Sequence, residues 1–252
     1  MKFLLLAAGQ IATSLLEESW FIDEISNNAV GFICSNEFFK KIEKKLTITQ
    51  KESMYIIGEK HVNEAQLHGL LKGKKNDYII SLQYPWVLPS TILELVNGRV
   101  LNLHNSKLPD YRGHNTISHE ILNEESFHTT TLHWVAIEVD RGRLVKEHAI
   151  QILKDDNAFK LWNRSKESTK ILLKEWFQEL DTQKEFPEGN EIIGVGSYYP
   201  KEISQFKIIP ENSDKAVIQK FARAFYFPPH EPAYFLVDGT KIYVLPDSWI
   251  YL

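Results

Sequence analysis

The sequence predicts an α/β fold: a Rossmann-like, mostly parallel, doubly wound sheet followed by a small carboxyl-terminal α+β appendage that contains a β-hairpin. Three observations lead to this prediction. Apolar runs such as residues 3–8 and 30–34 are nearly continuous, as in strands covered on both faces of a parallel sheet. Strand-like and helix-like segments alternate through the first half of the chain, which favours β–α–β connections. Asp238-Gly239 lies between two apolar segments, and this dipeptide is a strong hairpin signal.

The amino-terminal elements follow one another as strand and helix. The first strand ends in a turn at Gly9, which begins a helix through residue 18. Asn97-Gly98 ends the last helix of the series as a left-handed cap. The predicted strands cover residues 3–8, 30–34, 54–58, 77–81 and 99–103. The predicted helices cover residues 9–18, 36–45, 63–72 and 90–96.

Two strands and two helices are predicted in the middle of the chain. Residues 116–122 read as a helix that opens with Thr116 as its cap. Residues 129–135 and 144–153 contain alternating β-branched and aromatic side chains and predict an antiparallel pair added to the sheet. Residues 160–180 predict a long amphipathic helix. Its buried face is expected to contain Leu161, Ile171, Leu172, Trp176 and Leu180.

The last part of the chain predicts the appendage. Residues 182–189 are polar and contain Pro187, which is typical of a linker. The elements that follow are a helix and two strands, at residues 213–225, 235–237 and 241–245. We therefore expect two domains, a main domain over residues 1–180 and a helix and hairpin region over residues 181–252.

Composition and charge restrict the classes of function. The chain has 252 residues and a mass of 29.3 kDa, with 43% hydrophobic and 25% charged residues, which is ordinary for a globular protein. Its net charge of −4 argues against a nucleic-acid partner, which favours a basic surface. The single cysteine, Cys34, cannot form an internal disulfide, which suits a reducing cytoplasm. The apolar amino terminus is short and is followed by Glu17 and Glu18, so it predicts a buried strand rather than a signal peptide or a membrane span.

Residues 102–115 form a polar segment, rich in turn residues, between a predicted strand and a predicted helix. A loop at the carboxyl end of a parallel strand is a common place for a binding site. Asn102 and His104 are two residues apart, so on an extended strand end their side chains point the same way. An amide can stabilise a developing oxyanion, and an imidazole can move a proton at the same carbon. The alternative is that both side chains only satisfy backbone groups of the loop.

Histidine spacing does not favour a metal centre. His114 and His119 are five residues apart, as are His128 and His133, with no neighbouring cysteine or carboxylate at a ligand spacing. The first strand and helix lack the G-x-G-x-x-G fingerprint, so a dinucleotide cofactor is not expected either.

The polar segment resembles the motif of the formyltetrahydrofolate-dependent formyltransferases. The family pattern is Asn-x-His-x-Ser-x-Leu-Pro-x-x-x-Gly with a downstream Asp-x-Gly, and every fixed position is present. The matching residues are Asn102, His104, Ser106, Leu108, Pro109, Gly113, Asp140 and Gly142. Within the family, the chain is most similar to the sugar N-formyltransferases that act on nucleotide-linked amino sugars of bacterial surface polysaccharide. This similarity is carried by residues 82–86, 111–115, 129–134 and 223–229.

The resemblance implies transfer of a formyl group from N10-formyltetrahydrofolate to a sugar amine, catalysed by residues 1–180. The amine attacks the formyl carbon, so an oxyanion must be stabilised and protons must leave the amine and reach the folate nitrogen. Asn102 would hold the oxyanion, His104 would carry the proton, and Asp140 would orient the imidazole and relay protons through water. The reaction needs neither a covalent enzyme intermediate nor a metal ion.

The resemblance also implies contacts for both substrates. The residues that match the folate loops of the family are Tyr84, Trp86, Glu138 and Val139. The residues expected to contact the nucleotide sugar are Gln10, Gln83, Arg112, His114, Asn115, Tyr226 and Phe227. Considered without the resemblance, Trp86 is equally suited to a core, and Arg112 to a surface ion pair.

The implied acceptor is dTDP-4-amino-4,6-dideoxyglucose, used in lipopolysaccharide O-antigen or other surface polysaccharide synthesis. The implied enzyme is a cytoplasmic homodimer without a nucleic-acid or membrane partner. Residues 181–252 are short and more acidic than basic, which argues against the basic RNA-binding domain of a methionyl-tRNA formyltransferase. Two alternatives stay open: a glycinamide ribonucleotide formyltransferase, and a catalytically silent protein that binds folate or a nucleotide sugar.

Overall fold

The computed structural model describes residues 1–56, 64–71 and 77–247. The chain forms two compact units, each assembled from three separate stretches. Unit 1 contains Met1–His104, Thr131–Glu147 and Thr169–Ile192. Unit 2 contains Asn105–Thr130, His148–Ser168 and Ile193–Leu252. This division follows packing, and the functional domains 1–180 and 181–252 stay a prediction.

Strands and helices alternate along much of the chain. The strands are β1 Phe3–Ala7, β2 Ala29–Cys34, β3 Met54–Ile56, β4 Tyr78–Leu82, β5 Val100–His104, β6 Arg112–Gly113, β7 Phe127–Trp134, β8 Leu144–Gln151, β9 Tyr198–Tyr199, β10 Tyr234–Val237 and β11 Thr240–Tyr243. The helices are α1 Gly9–Ser14, α2 Ser19–Asn28, α3 Asn36–Ile42, α4 Ile48–Glu52, α5 Glu64–Leu71, α6 Ser90–Leu95, α7 Thr116–Leu122, α8 Ala158–Gln183 and α9 Lys215–Phe225. Within the described ranges, no helix combines the length and the apolar character that crossing a membrane requires.

The main sheet contains seven of the described strands, in the order β3-β2-β1-β4-β5-β7-β8. β1 is parallel to β2 and β4, β2 to β3, and β4 to β5, whereas β5 and β7 are antiparallel. The chain builds the sheet outward from β1 in one direction and then from β4 in the other. This order confirms the predicted mostly parallel, doubly wound α/β sheet.

The centre of the sheet is buried on both faces. Every residue of β1 and β4 is buried, which explains why these strands are nearly continuous apolar runs. Leu4 and Ile79 of these strands share one apolar cluster with Leu70 of α5 and Ile92 of α6. Burial of each such side chain contributes roughly 1.5–3 kcal/mol. The sheet is therefore a stable base for side chains that project from it.

Unit 2 contains the predicted hairpin. Ile121 of α7 and Phe225 of α9 belong to its apolar core. β10 and β11 pair in an antiparallel manner, joined by Asp238 and Gly239 with φ values of +47° and +76°. Positive φ at both central residues is what a type I′ turn requires, so the Asp-Gly prediction is confirmed. The second strand ends at Tyr243, earlier than expected.

Two side-chain predictions are wrong. The residue before α7 is Asn115, with φ +53° and no side-chain cap, whereas Thr116 is the first helical residue. The Thr116 hydroxyl instead donates to the Asn105 carbonyl oxygen at 3.4 Å. Ile171, expected on the buried face of α8, is 43% exposed.

Residues 182–189 are not a linker. The ring of Phe186 packs against Tyr78 and Trp134, with centroids 5.2 and 5.9 Å apart. Trp134 Nε1 donates to the Pro187 carbonyl oxygen at 2.9 Å. The polar composition of the segment conceals the packing of Phe186, which, with the backbone hydrogen bond at Pro187, makes the segment a packed part of unit 1.

Helices α2 and α4 are absent from the prediction. Glu18 is extended, with φ −93° and ψ 119°, and it separates the first helical segment from α2. The predicted strand 54–58 is present as β3, and the predicted helix 63–72 as α5. Residues 57, 58, 63 and 72 lie outside the described residues.

Candidate active site

The candidate site lies in unit 1, on β5 and on the neighbouring part of β7 from Thr131 onward. Their register places Asn102 opposite His133 and His104 opposite Thr131. Asn102 and His104 alternate with a buried leucine, so their side chains share one face of the sheet, as predicted. His104 is 8% exposed and His133 only 1%. Hydrogen bonds and charges at this position are therefore weakly screened by water.

Hydrogen bonds fix the orientation of Asn102. His133 Nδ1 lies 3.1 Å from the Trp134 carbonyl oxygen, which only accepts, so Nδ1 carries the proton. His133 Nε2 is then an acceptor, and Asn102 Nδ2 donates to it at 3.1 Å. Burial, followed by the nearby His104, lowers the pKa of His133 to about 4. His133 is thus neutral near pH 7 and directs the Asn102 amide.

Asp140 faces both imidazoles. Its Oδ2 lies 3.7 Å from His104 Nδ1, and its Oδ1 lies 3.7 Å from His133 Nε2. Both distances are longer than a direct hydrogen bond but short enough for a strong electrostatic interaction. The backbone of Asp140 is left-handed, with φ +53°, which aspartate tolerates better than most residues. The predicted trio of Asn102, His104 and Asp140 is therefore close together in the structure.

Gly142, the glycine of the downstream Asp-x-Gly, occupies a position that has no room for a side chain. A Cβ on Gly142 would lie 1.4 Å from the Trp134 carbonyl oxygen. That oxygen is the group that accepts from His133 Nδ1. Gly142 therefore allows the loop that carries Asp140 to pass close to the strand end that holds His133.

Gln83 and Gln10 lie at the carboxyl ends of β4 and β1. Gln83 Oε1 accepts from the backbone N–H of Ile11 at 2.9 Å, so it holds the start of α1. A Cβ on Gly9, which has φ +70°, would lie 2.5 Å from the same oxygen. Gln10 is exposed beside it. The oxygen of the Gln83 amide therefore has a structural role, and a contact of the same amide to substrate stays a prediction.

The predicted folate residues lie in two loops of unit 1. Tyr84 and Trp86 follow β4, with edge-to-face rings 5.5 Å apart. Tyr84 also packs against the apolar cluster of the sheet. Glu138 Oε1 lies 3.3 Å from Arg141 Nε, and Val139 is 44% exposed.

Three predicted nucleotide-sugar residues lie around β6 in unit 2. Arg112 Nη2 donates to the Val195 carbonyl oxygen at 3.4 Å. Asn115 Nδ2 donates to the Lys201 carbonyl oxygen at 3.1 Å. The His114 side chain is exposed. Arg112 and Asn115 thus hold neighbouring loops, and their contacts to substrate stay predictions.

Phe227 packs against the apolar core of unit 2, and Tyr226 precedes it in the chain. The Phe227 ring is edge-on to Phe159 and Trp162, with centroids 5.7 and 5.4 Å away. The Tyr226 carbonyl oxygen accepts from the backbone N–H of Phe159. Phe227 therefore has a clear packing role, and stacking on a nucleotide base stays a prediction.

Sequence reasoning missed His133 as part of the site. His133 lies in residues 129–134, which carry part of the family resemblance, and it was also weighed as a metal ligand. It was assigned no role in the reaction, because the pairing of β7 with β5 is a long-range feature. The available signal was the alternation of residues 129–135, which placed His133 on a strand. Among the described residues, no three His, Cys, Asp or Glu side chains are grouped as a metal site requires.

Comparison with known proteins places the chain in a family. The family described as "Formyl transferase" matches residues 17–176. The GDP-perosamine N-formyltransferase of Brucella melitensis is 33% identical over 175 residues, which cover 69% of this chain and 66% of that protein. The match therefore spans just under two thirds of that relative's length.

Solved structures share the fold over nearly the whole chain. A 4-N formyltransferase from Francisella tularensis has a TM-score of 0.73 at 18% identity, covering 97% of this chain and 96% of that one. The N-formyltransferase of Helicobacter canadensis, solved with folinic acid and dTDP-3-aminofucose, has a TM-score of 0.70 at 19% identity, covering 96% and 86%. Because the family match covers more than half of the sequence and includes the strand that carries Asn102 and His104, this chain belongs to the formyl transferase family.

Proposed function

We propose that this protein transfers a formyl group from N10-formyltetrahydrofolate to the amine of a nucleotide-linked amino sugar. The observation that carries the proposal is the group of Asn102, His104, His133 and Asp140 on and beside β5 and β7, in a member of the formyl transferase family. The name of the Brucella relative supports a sugar amine as the acceptor. The ligands of the Helicobacter structure, folinic acid and a dTDP-linked amino sugar, support the two substrate classes.

Asn102 would stabilise the negative charge that develops on the formyl oxygen. Its Nδ2 carries two hydrogens, and one of them is directed at His133. The second is the donor proposed for the oxygen. Because neutral His133 already sets the direction of the amide, the donor is preorganised, and removing such a donor costs about 2.7–4 kcal/mol of transition-state stabilisation.

His104 and Asp140 would move the proton of the attacking amine. His104 Nδ1 and Asp140 Oδ2 are 3.7 Å apart, which is close enough for the carboxylate to stabilise a positive charge on the imidazole. Both side chains are about nine-tenths buried, which strengthens their interaction. His104 would receive the proton while Asp140 stabilises the resulting positive charge. His104 would then give the proton to N10 of the folate as the bond between N10 and the formyl carbon breaks, which releases tetrahydrofolate.

The loops after β4 and β7 suit a flat heterocycle. The loop after β4 contains the ring pair of Tyr84 and Trp86 and the 74% exposed Val87, and the loop after β7 contains Ile137 and Val139, which are 84% and 44% exposed. Apolar and aromatic side chains with a few polar groups are typical of small-molecule sites. We propose that these loops hold the pterin of N10-formyltetrahydrofolate, which supplies the formyl group when bound.

We also propose which nucleotide sugar accepts the formyl group. The predicted acceptor is dTDP-4-amino-4,6-dideoxyglucose, whereas the Brucella relative is named for GDP-perosamine and the Helicobacter structure contains dTDP-3-aminofucose. Both the nucleotide and the sugar thus differ among similar proteins. We further propose that the enzyme is a cytoplasmic homodimer that serves lipopolysaccharide O-antigen synthesis, and light scattering tests the dimer.

The decisive experiment is a turnover assay by mass spectrometry with N10-formyltetrahydrofolate. Its acceptor panel contains dTDP-, UDP- and GDP-linked 3-amino and 4-amino sugars, together with glycinamide ribonucleotide. A formyl mass gain on a nucleotide sugar supports the proposal and identifies the sugar, the amine position and the nucleotide. A gain only on glycinamide ribonucleotide moves the enzyme to purine synthesis. Folate binding without any gain favours a catalytically silent binding protein.

A further inference from the structure

A buried carboxylate and imidazole lie side by side in unit 2, and the reaction described above uses neither. Glu120 is 1% exposed and His128 is fully buried. Glu120 Oε2 and His128 Nδ1 are 2.7 Å apart, which is the length of a strong hydrogen bond. A buried pair of this kind adds little net stability compared with apolar side chains of similar size. Its placement in the fold is therefore the more informative property.

The carboxylate holds the serine of the motif. Ser106 Oγ donates to Glu120 Oε1 at 2.5 Å, and Ser106 is fully buried. The two oxygens of Glu120 thus have separate partners, the serine hydroxyl on one side and the imidazole of His128 on the other. Glutamate is rarely buried in a protein interior. Here both oxygens of Glu120 have a hydrogen-bond partner, as buried polar groups require.

The imidazole holds the residue before that serine. His128 Nε2 lies 3.4 Å from Asn105 Oδ1, and Asn105 Nδ2 donates to Ser165 Oγ at 3.0 Å. Ser165 Oγ donates to the Trp162 carbonyl oxygen, so it can only accept from Asn105. This fixes the amide of Asn105 with its oxygen toward His128.

Asn105 and Ser106 are the two residues that directly follow His104 in the chain. We propose that Glu120 and His128 are positioning residues for formyl transfer, because through Ser106 and Asn105 they fix the backbone from which His104 projects. This inference rests on the proposed function for its kinetic consequence. Its structural consequence, a change in the surroundings of His104 when the network is cut, does not depend on it.

The kinetic test compares Ser106→Ala with Ser168→Ala. Ser168 is a matched control, because it is 1% exposed and its hydroxyl donates to one backbone oxygen, that of His148 at 3.3 Å. We expect Ser106→Ala to lower kcat about 10-fold or more with little change in KM, since a small misplacement of a catalytic group has effects of this size. Ser168→Ala is expected to keep the kcat of the parent. Equal kcat values for the two variants would overturn the proposal.

Comparison of Glu120→Gln with Glu120→Ala tests whether the hydrogen bonds of this side chain support turnover. In Glu120→Gln, the amide oxygen can still accept from Ser106, and the amide nitrogen can donate to His128 Nδ1. Glu120→Ala removes both partners. We expect the glutamine variant to regain at least about 10-fold of the kcat lost in the alanine variant. No difference between them, in folded protein, counts against the network.

A measurement without substrate separates this inference from the proposed function. The side-chain NMR signals of His104 are identified in histidine-labelled protein by their loss in His104→Gln. We expect these signals to shift in Ser106→Ala and to stay in place in Ser168→Ala. If the parent formylates no acceptor but the shift occurs, the positioning role stands and the proposed function fails. Unshifted His104 signals in Ser106→Ala would overturn the positioning role.

Discussion

The amide of Asn102 is a single group with two tasks, because it pairs with His133 and is proposed to meet the developing oxyanion. We expect Asn102→Ala to lower kcat about 10²–10³-fold, the effect of removing one preorganised donor. Folate binding should stay within a few-fold of the parent value, since the amide is not among the predicted folate contacts. Steady-state turnover and a fluorescence titration with folate measure the two effects.

The control for Asn102→Ala is Asn28→Ala, which removes an asparagine that donates to Glu24 near the end of α2. Turnover in the control should equal that of the parent. An Asn102→Ala enzyme with parental kcat would exclude the oxyanion role.

His119 is a buried histidine of unit 2 and is only 3% exposed. Its ring stacks on Tyr199 at 4.0 Å and meets Phe206 edge-on. Burial lowers the pKa of His119 to about 4 from a usual 6.5. The unfolded chain therefore binds a proton between these values that the folded chain does not, so stability falls as pH drops through this window. At about pH 5 the loss amounts to about 2 kcal/mol.

We expect His119→Phe to remove this loss, because phenylalanine keeps the ring contacts and does not titrate. Urea unfolding near neutral pH and at about pH 5 should show the variant gaining about 2 kcal/mol on the parent only at the lower pH. His230→Phe, at an exposed histidine, should leave the pH dependence unchanged. An unaltered pH dependence in His119→Phe would contradict the explanation.

The loop between β7 and β8 can pass close to the Trp134 carbonyl oxygen because residue 142 is a glycine. We expect Gly142→Ala to displace the Trp134 carbonyl, which lies 1.4 Å from the added Cβ, and so disturb both His133 and Asp140. Overpacking of this kind costs about 1–3 kcal/mol of stability. Turnover should fall about 10²-fold, as for other small displacements of catalytic groups.

Gly69→Ala is the matched control for the loop, because nothing lies within 4 Å of the position of its Cβ and it belongs to α5. It should stabilise the protein by about 0.5–1 kcal/mol, as alanine does relative to glycine in a helix, and leave turnover unchanged. Calorimetry and the turnover assay measure both variants. Equal turnover in the two glycine variants would rule out the steric explanation.

The elements that could be predicted from the sequence are those with strong local signals. The continuous apolar runs of β1 and β2 and the Asp-Gly turn of the hairpin are of this kind. The two-residue strands β6 and β9 have no such signal, since their pairing joins positions far apart in the chain. The short helix α4 was missed although a complete capping box at Thr47 and Gln50 marks its start.

Unit 1 depends on packing by residues 182–189, which lie far along the chain from its first strands. Phe186 packs on Tyr78 and Trp134 from a segment that its composition suggested was a linker. We expect Phe186→Ala to cost about 2–3 kcal/mol, somewhat less than a fully buried phenylalanine. Phe127→Ala, at a ring that is 59% exposed, is the control and should have only a small effect. Urea unfolding compares them, and equal effects would mean that the segment contributes no packing.

The candidate site could be predicted from the sequence only in part. Asn102 and His104 are near in sequence, and both belong, with Asp140, to the motif of the family. His133 enters the site only through the antiparallel register of β5 and β7. Such a register is decided by packing between distant segments, so local patterns do not contain it.

The interleaving of the two units has a consequence for recombination among related genes. The chain crosses from one unit to the other after residues 104, 130, 147, 168 and 192. A single crossover between two parental sequences therefore gives a chimera in which at least one unit is of mixed ancestry. A single gene fusion therefore cannot exchange one whole unit for that of a relative. Libraries that vary loops in place are accordingly better suited to changing one unit of this protein than libraries of spliced halves.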